Sequence, residues 1–460
     1  MDELDLVAIG GGSGGYTAAI RASQLGLTAA IIERDKVGGT CLHKGCIPAK
    51  VLLETAETLS LVRRSGTFGV RSEGVSLDYA TVAARKRQVV DTLHKGLCSL
   101  IQKHKIEVIQ GQARLLTPTQ VAVGDRVLGA KQIVLATGSR PKELPGLATD
   151  GEHILSSDHL LERDDPPASI AVVGAGAVGV EFASFYVDIG CEVTLIEMMP
   201  NLLPLEDADL GKALGKALAA RGARVLTSAR LLPEGTRAYD NVVELTVQHD
   251  DEETTVAAQV VLTAVGREAV TDDLGLENTR VQVQNGFVLV DGSYRTHEPT
   301  VYAVGDAIGG LLLAHVAAAE GFLAAEAIAG QRGQPLDYSR VPRVAYSRPQ
   351  VAAVGLSERQ ARDAGHKVKS RRFSFRYNAI ALIQDETEGF AKVVYDVDSG
   401  DLLGAHIIGH RASELISEAS LARFLGASAR GVGANIHPHP SLSEVLGEAA
   451  QLSAGISIYW

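Results

Sequence analysis

The sequence predicts an α/β protein in which two parallel-sheet domains of one plan precede a C-terminal α+β domain. Three observations predict it. A strand, a glycine-rich turn, a helix and a second strand occur in that order near the N-terminus and again from Ser169. Pro141, Pro145, Pro166 and Pro167 punctuate the chain between the two copies. From about residue 341 the pattern changes to alternating apolar residues, as in Ala391-Lys392-Val393-Val394-Tyr395. That alternation predicts an antiparallel sheet with covering helices.

Size and charge set the frame. A chain of 460 residues exceeds one ordinary core, and about three to four domains of roughly 100–150 residues are expected. Aromatic residues make up only 5%, so Ala, Val, Leu and Ile must build the cores. Lys plus Arg number 44 against 55 Asp plus Glu, a net −11, which argues against a nucleic-acid backbone or an anionic membrane as partner. The start Met1-Asp2-Glu3-Leu4-Asp5 has no basic, apolar leader pattern. The most apolar long stretch, 311–330, is interrupted by His315, Glu320 and Glu326, which disfavours a membrane span. A cytoplasmic protein is the expectation. Four cysteines are too few for a disulfide scaffold, so a close pair points to redox chemistry or metal binding.

The first copy runs from Asp5-Leu6-Val7-Ala8-Ile9 into Gly10-x-Gly12-x-x-Gly15, then a helix, then a strand that ends in Glu33. The second runs from Ser169-Ile170-Ala171-Val172-Val173 into Gly174-x-Gly176-x-x-Gly179 and reaches Glu197. In both, the acid lies 23 residues after the first glycine. The first glycine permits a tight turn, the second lets backbone approach a pyrophosphate, and the third allows close helix–strand packing. Two matching units imply two Rossmann-like dinucleotide-binding domains in one chain. A terminal carboxylate accepts bonds from ribose hydroxyls and repels a 2′-phosphate, so Glu197, with no cation in Met198-Met199-Pro200, reads as NAD over NADP. The apolar run 259–266, ending in Gly266, closes the second domain, and Thr300–Asp306 reads as a return to the first. The expected boundaries are 1–145, 146–268, 269–340 (completing the first domain) and 341–460.

Two further stretches carry chemistry. In Gly38-Gly39-Thr40-Cys41-Leu42-His43-Lys44-Gly45-Cys46-Ile47-Pro48-Ala49-Lys50, two cysteines five apart can close a disulfide at a distorted helix start. Two buried thiols or a metal site are the alternatives, although the Cys-x-x-Cys zinc spacing is absent. Lys50, four residues after Cys46, can share its helix face and favour a thiolate. Cys98 and Cys191 lack such a setting and read as ordinary core or surface thiols. Near the C-terminus, His437-Pro438-His439-Pro440-Ser441-Leu442-Ser443-Glu444 offers an imidazole base and a carboxylate to hold it. The remaining histidines read mostly as surface residues, with His315 the main exception.

Taken together, these stretches resemble the class I pyridine nucleotide–disulfide oxidoreductases over essentially the whole chain, most closely the branch that oxidises dihydrolipoamide. Ala136-Thr137-Gly138-Ser139-Arg140-Pro141 and Tyr302-Ala303-Val304-Gly305-Asp306 match two more signature stretches. The resemblance implies FAD in the first domain and NAD in the second, with a C-terminal dimerisation domain. It implies that Cys41 is the interchange thiol and Cys46 the charge-transfer thiol. It places Lys50 near the flavin, paired with Glu181. It gives Gly39, Thr40, Thr137, Gly138, Asp306 and Ala314 to the FAD site and Gly266 to the NAD-site wall. His439 and Glu444 would come from the partner subunit of a homodimer. The implied substrate is a lipoyl group carried on another protein of a 2-oxoacid dehydrogenase or glycine cleavage complex. No metal site is implied. His43 stands where the family usually has Asn, Ala49 where it has Ser or Thr, and Val316 where Lys is common. A glutathione reductase-like chain would want a basic residue in place of Glu197. A mercuric reductase-like chain would want a C-terminal cysteine pair, and no Cys follows Cys191. A scaffold with a purely structural flavin would not need the Cys41, Cys46, Lys50, His439 and Glu444 set.

Overall fold

The computed structural model describes residues 3–250, 252–331 and 333–456. The chain forms two compact units. One comprises the chain up to Val51, with Ala80–Lys142 and Gly266–Leu336; the other comprises Leu52–Tyr79, Glu143–Val265 and the chain from Asp337.

In the first unit the strands order as Glu107–Gln110, Ala29–Glu33, Leu4–Ile9, Arg126–Leu135, Gln120–Val123 and Ala113–Thr117. Val301–Ala303 also pairs in parallel with Arg126–Leu135. Leu6, Val7 and Ala8 are fully buried, the continuous apolar pattern of a parallel strand covered on both faces. Leu6 and Ala8 pack with Ala18, Ala19 and Ala22 of the helix Ser13–Gln24 and with Ala324 and Ala325 of the helix Ala314–Ile328. Those two helices approach closely because Gly321 has no side chain: a Cβ there would stand 2.2 Å from the Gly14 carbonyl oxygen.

In the second unit a parallel sheet orders as Arg224–Leu226, Glu192–Ile196, Ser169–Val173, Val260–Thr263 and Ile154–Leu155. The chain leaves Ser169–Val173 toward one neighbour first and reaches the other later, which opens a crevice at the carboxyl ends of the strands. The central strand of the first unit, Leu4–Ile9, is flanked in the same way by Ala29–Glu33 and Arg126–Leu135.

The C-terminal region is an antiparallel sheet in the order Arg343–Ala345, Gln350–Gly355, Leu402–Gly409, Phe390–Asp396 and Val368–Ser374, with the helices Ala412–Phe424 and Glu444–Ser453. The α/β class with a C-terminal α+β domain is therefore observed. The alternation at 391–395 has a different meaning from a wetted strand face, because every residue of Leu402–Gly409 and all but the first of Phe390–Asp396 are buried. The polar residue of that alternation, Lys392, is 4% exposed. Its Nζ donates to Asp207 Oδ1 at 3.0 Å and to Asp209 Oδ2 at 2.8 Å and lies 3.3 Å from Glu358 Oε2. Among the described residues, no helix is long and apolar enough to cross a membrane.

Candidate active site

The two glycine-rich turns share one geometry. Gly10 and Gly174 have φ of 103° and 99°, and a Cβ on either would strike a carbonyl oxygen, Ala136 at 2.2 Å or Ala264 at 2.5 Å. A Cβ on Gly15 or Gly179 would stand 1.8 or 1.9 Å from the carbonyl oxygen of Gly10 or Gly174. The fold's own backbone therefore demands the first and third glycines. The middle ones are different. A Cβ on Gly176 would meet nothing within 4 Å, and one on Gly12 only the Gly39 Cα at 3.9 Å. Gly12 and Gly176 cap the helices Ser13–Gln24 and Ala177–Ile189 without a side-chain bond. Open space before uncapped first-turn N–H groups is what a pyrophosphate requires, so the residues present fit a dinucleotide at both turns.

The strand-end acids also match. Glu33 accepts from Gly11 N at 2.7 Å and Asp35 N at 2.8 Å. Glu197 accepts from Ala175 N at 2.7 Å and Met199 N at 2.8 Å. Each acid thus ties its own turn, a duty that spacing alone does not reveal. In the first unit a cavity lined by Gly10, Glu33, Arg34, Gly111, Thr137 and Val270 opens beside the turn. Thr137 Oγ1 donates to the Val270 carbonyl at 2.6 Å, and Val270 N returns a bond to the carbonyl of Gly138 (φ 71°) at 3.0 Å. Gly266 (φ 122°) accepts from Lys142 N at 3.0 Å.

Asp306 lies in the short turn Gly305–Ile308, whose Gly305 N donates at 2.6 Å to Glu320, a carboxylate buried in the helix that Ala314 begins. The Ser139 hydroxyl donates to Asp306 Oδ2 and accepts from Arg267 Nε at 2.7 Å. Arg267 also holds the Ser139 carbonyl at 2.8 Å. Ser139 and Arg267 thereby pin one oxygen of Asp306, and both were missed as site residues in the sequence. Ser139 lies within the Ala136–Pro141 signature stretch, and Arg267 is marked in the sequence by following Gly266.

Cys41 sits in the short helix Gly39–Lys44 and Cys46 opens the helix Cys46–Arg63. Gly45, at φ −154° and ψ −110°, breaks the two helices apart. The thiols adjoin each other in the dithiol form. The hydrogen bond to Cys46, followed by burial, pushes the Cys41 thiol far above its ordinary value, while the Lys50 charge pulls the other way. Gly38 N donates to the Gly11 carbonyl at 2.7 Å, which fixes this segment to the first turn; Thr40 lies in the same short helix. His43 bonds the Val37 carbonyl at 2.9 Å, and His94 reaches the same oxygen at 3.1 Å.

In the second unit, His439 Nδ1 donates to Glu444 Oε1 at 2.9 Å, and Glu444 Oε2 accepts from Ser441 N at 2.9 Å. A carboxylate on Nδ1 leaves the lone pair on Nε2, the form that acts as a base. The neighbouring His437 is instead spent on Glu418 Oε1 at 2.9 Å, with its side chain 7% exposed. Glu181, buried in Ala177–Ile189, accepts from Tyr346 N at 2.9 Å. Most of the remaining histidines read as surface residues in the sequence; His406 departs from that, being fully buried with Nε2 on the Leu356 carbonyl at 3.0 Å. Cys98 is exposed, and burial pushes the Cys191 thiol up to about 11.

Residues 4–321 match the family model described as pyridine nucleotide-disulphide oxidoreductase, and residues 341–450 match the dimerisation domain of the same family. The chain belongs to the pyridine nucleotide-disulphide oxidoreductase family. It is a flavoprotein disulfide oxidoreductase whose cofactors are FAD and NAD(H), and its dimerisation domain supports a homodimer. It is 44% identical to a dihydrolipoyl dehydrogenase of Bacillus subtilis, across 100% of this chain and 99% of that one. It is 40% identical to the one of Zymomonas mobilis, across 100% of both. Among solved structures, LpdA from Mycobacterium tuberculosis superposes with a TM-score of 0.89 at 28% identity, covering 98% of this chain and 99% of that one. The HOCl-induced flavoprotein disulfide reductase RclA from Escherichia coli superposes at 0.87 and 26% identity, covering 97% and 99%.

Proposed function

We propose that this chain is an NAD-dependent dihydrolipoyl dehydrogenase that oxidises protein-bound dihydrolipoamide through a Cys41–Cys46 disulfide. The observation that carries the reading is the adjoining thiol pair at the Gly45 helix break, with Lys50 one turn beyond. The names of the full-length relatives support the choice of substrate.

In this reading 1–145 and 269–340 hold FAD, 146–268 holds NAD and 341–460 forms the dimer interface. Gly10, Gly12, Gly15 and Glu33, with Gly39, Thr40, Thr137, Gly138, Ala314 and Asp306, hold the flavin dinucleotide. Gly174, Gly176, Gly179, Glu197 and Gly266 hold NAD. His439 and Glu444 of one subunit serve the dithiol pair of the other, and Glu181 supports the site from Ala177–Ile189.

His439 Nε2 takes a proton from one substrate thiol, and Glu444 stabilises the imidazolium. The substrate thiolate attacks Cys41 Sγ and Cys46 leaves as a thiolate. The second substrate thiol then displaces Cys41, closing the lipoyl disulfide and releasing Cys41 as the thiol. Lys50 lowers the cost of the Cys46 charge. Bound FAD supplies the route by which the two electrons reach NAD+. The lipoyl group arrives on another protein of a 2-oxoacid dehydrogenase or glycine cleavage assembly, in the cytoplasm.

NADH formation from dihydrolipoamide by the purified FAD-loaded enzyme tests this, with NADP+ in parallel. Fast NAD+ reduction with little NADP+ reduction is expected. No reduction with dihydrolipoamide, in protein that retains FAD and its disulfide, would discard the substrate.

A further inference from the structure

Glu197 is followed by two large apolar side chains that the fold leaves in the open: Met198 is 67% exposed and Met199 is 45% exposed. The segment that carries them is held at several points. Met199 N donates to Glu197, whose other carboxylate oxygen holds Ala175 N. Two further backbone bonds hold it: Leu203 N, beyond the pair, donates to the Ala175 carbonyl of the turn at 2.9 Å, and Ser228 N donates to the Met199 carbonyl at 3.0 Å. The loop is thus clipped to the glycine-rich turn it follows, and the pair is presented at a fixed place beside it.

The ribose hydroxyls that Glu197 would receive sit on the same sugar ring as the glycosidic bond to adenine. Consecutive Cα atoms are about 3.8 Å apart, so the base must come within reach of the next one or two side chains. A thioether suits that neighbour because it is flexible, polarizable and favourable against an aromatic ring. The same sulfur is also the atom most readily oxidised, and its sulfoxide is polar.

We propose that Met198 and Met199 form the platform for the adenine of the bound pyridine nucleotide, and that their oxidation to sulfoxides is a reversible modification that weakens nucleotide binding. The inference rests on the NAD reading of the Gly174–Glu197 turn. A hydroperoxide delivers one oxygen atom to each thioether sulfur; the sulfur is oxidised by two electrons, the O–O bond breaks, and water or an alcohol leaves. A thiol-dependent sulfoxide reductase reverses the step: two thiols become a disulfide and the oxygen leaves as water. The chain has three methionines in all, so only Met1 competes for the oxidant as a thioether and the product is easily assigned by mass.

The test uses the full-length FAD enzyme in its disulfide form, hydrogen peroxide as oxidant and ADP-ribose as a nucleotide without the reactive ring. Peptide mass spectrometry follows both sulfoxides, and calorimetry gives the ADP-ribose Kd. Saturating ADP-ribose is expected to slow both oxidations several-fold. Full oxidation is expected to weaken ADP-ribose roughly tenfold, the loss of one or two sulfur–aromatic contacts, and reductase treatment is expected to restore it. In the M198L/M199L variant, peroxide is expected to leave the Kd of that variant where it was. Equal oxidation rates with and without ADP-ribose, or an unchanged Kd once both sulfoxides have formed, would overturn the proposal. Failure of the untreated enzyme to bind ADP-ribose would overturn the NAD reading of the turn along with it.

Discussion

Gly176 and Gly179 occupy one motif but answer to different constraints, so Gly176→Ala and Gly179→Ala should separate binding from folding. Gly176 has φ −68° and ψ −175°, which any residue adopts, and an added methyl meets nothing within 4 Å. The substitution should leave stability unchanged or raise it by about 0.4–1 kcal/mol, because alanine narrows the unfolded ensemble. The methyl would, however, take the space before the helix N-terminus. Losing one charge-assisted hydrogen bond to a phosphate costs roughly 1.5–3 kcal/mol, about ten- to a hundredfold in Kd. Gly179→Ala puts a carbon 1.9 Å from the Gly174 carbonyl oxygen, where a carbon–oxygen contact needs about 3.3 Å. Both atoms belong to the protein framework, so the helix must move off the strand, at a cost of roughly 1–3 kcal/mol or more. Thermal unfolding followed by circular dichroism ranks the stabilities, and ADP-ribose titration gives the affinities. Gly176→Ala should unfold with the wild type and bind weakly; Gly179→Ala should unfold early. Wild-type affinity in Gly176→Ala, or equal destabilisation in the two variants, would refute the division of labour.

Four other outcomes follow from the same geometry. Lys392→Met should lower the unfolding midpoint sharply, since it strands the buried Asp207 and the neighbouring Asp209 without their cation, a loss of about 3–5 kcal/mol. His437 has its pKa raised by the hydrogen bond to Glu418, against burial. Its contribution is therefore complete below the unfolded value of about 6.5 and is lost as pH rises through the higher folded value, so the thermal midpoints of wild type and His437→Gln should converge toward alkaline pH. Replacing Cys46 with alanine should move the pH midpoint of Cys41 alkylation downward in the reduced enzyme, because the bond to Cys46 is the leading cause of the raised Cys41 value; superimposed pH profiles would remove that cause. His439→Gln should cut dihydrolipoamide oxidation roughly 10²–10⁴-fold while the protein still binds FAD, and an unimpaired variant would end the role of His439 as the base.

The legible parts of this molecule are those whose physics is local in sequence. Gly10 and Gly15 are five residues apart, and the clash that forbids a side chain at Gly15 is with the Gly10 carbonyl itself, so the spacing alone encodes the turn. The apolar runs at Leu6–Ile9 and Ile170–Val173 encode parallel strands covered on both faces, because they lack a polar alternate. The buried ionic cluster was not legible. Lys392 alternates with apolar residues as a wetted lysine would, and its partners at 207, 209 and 358 lie too far along the chain for any pattern to join them. His406 escaped notice for the same reason, since the carbonyl it holds is Leu356, 50 residues earlier. Ser139 and Arg267 meet across 128 residues, and only their contact with Asp306 gives them a meaning in the site.

In the proposed reading, each strand-end acid serves both folding and recognition. Each carboxylate has two oxygens, and each oxygen already accepts one backbone N–H, from 22 residues before and two residues after the acid. That arrangement closes the glycine-rich turn from beneath before any nucleotide arrives. An ionised carboxylate has about four acceptor positions, so two bonds to backbone leave capacity for ribose hydroxyls on the same oxygens. The charge held between those two N–H groups is also the charge that would repel a 2′-phosphate in that reading. Exchange for a cation at Glu197 would therefore alter nucleotide preference and release Ala175 N and Met199 N together. In the proposed reading the preference for NAD is tied to the turn's own stability, so changing it requires new partners for two backbone donors as well as a new charge.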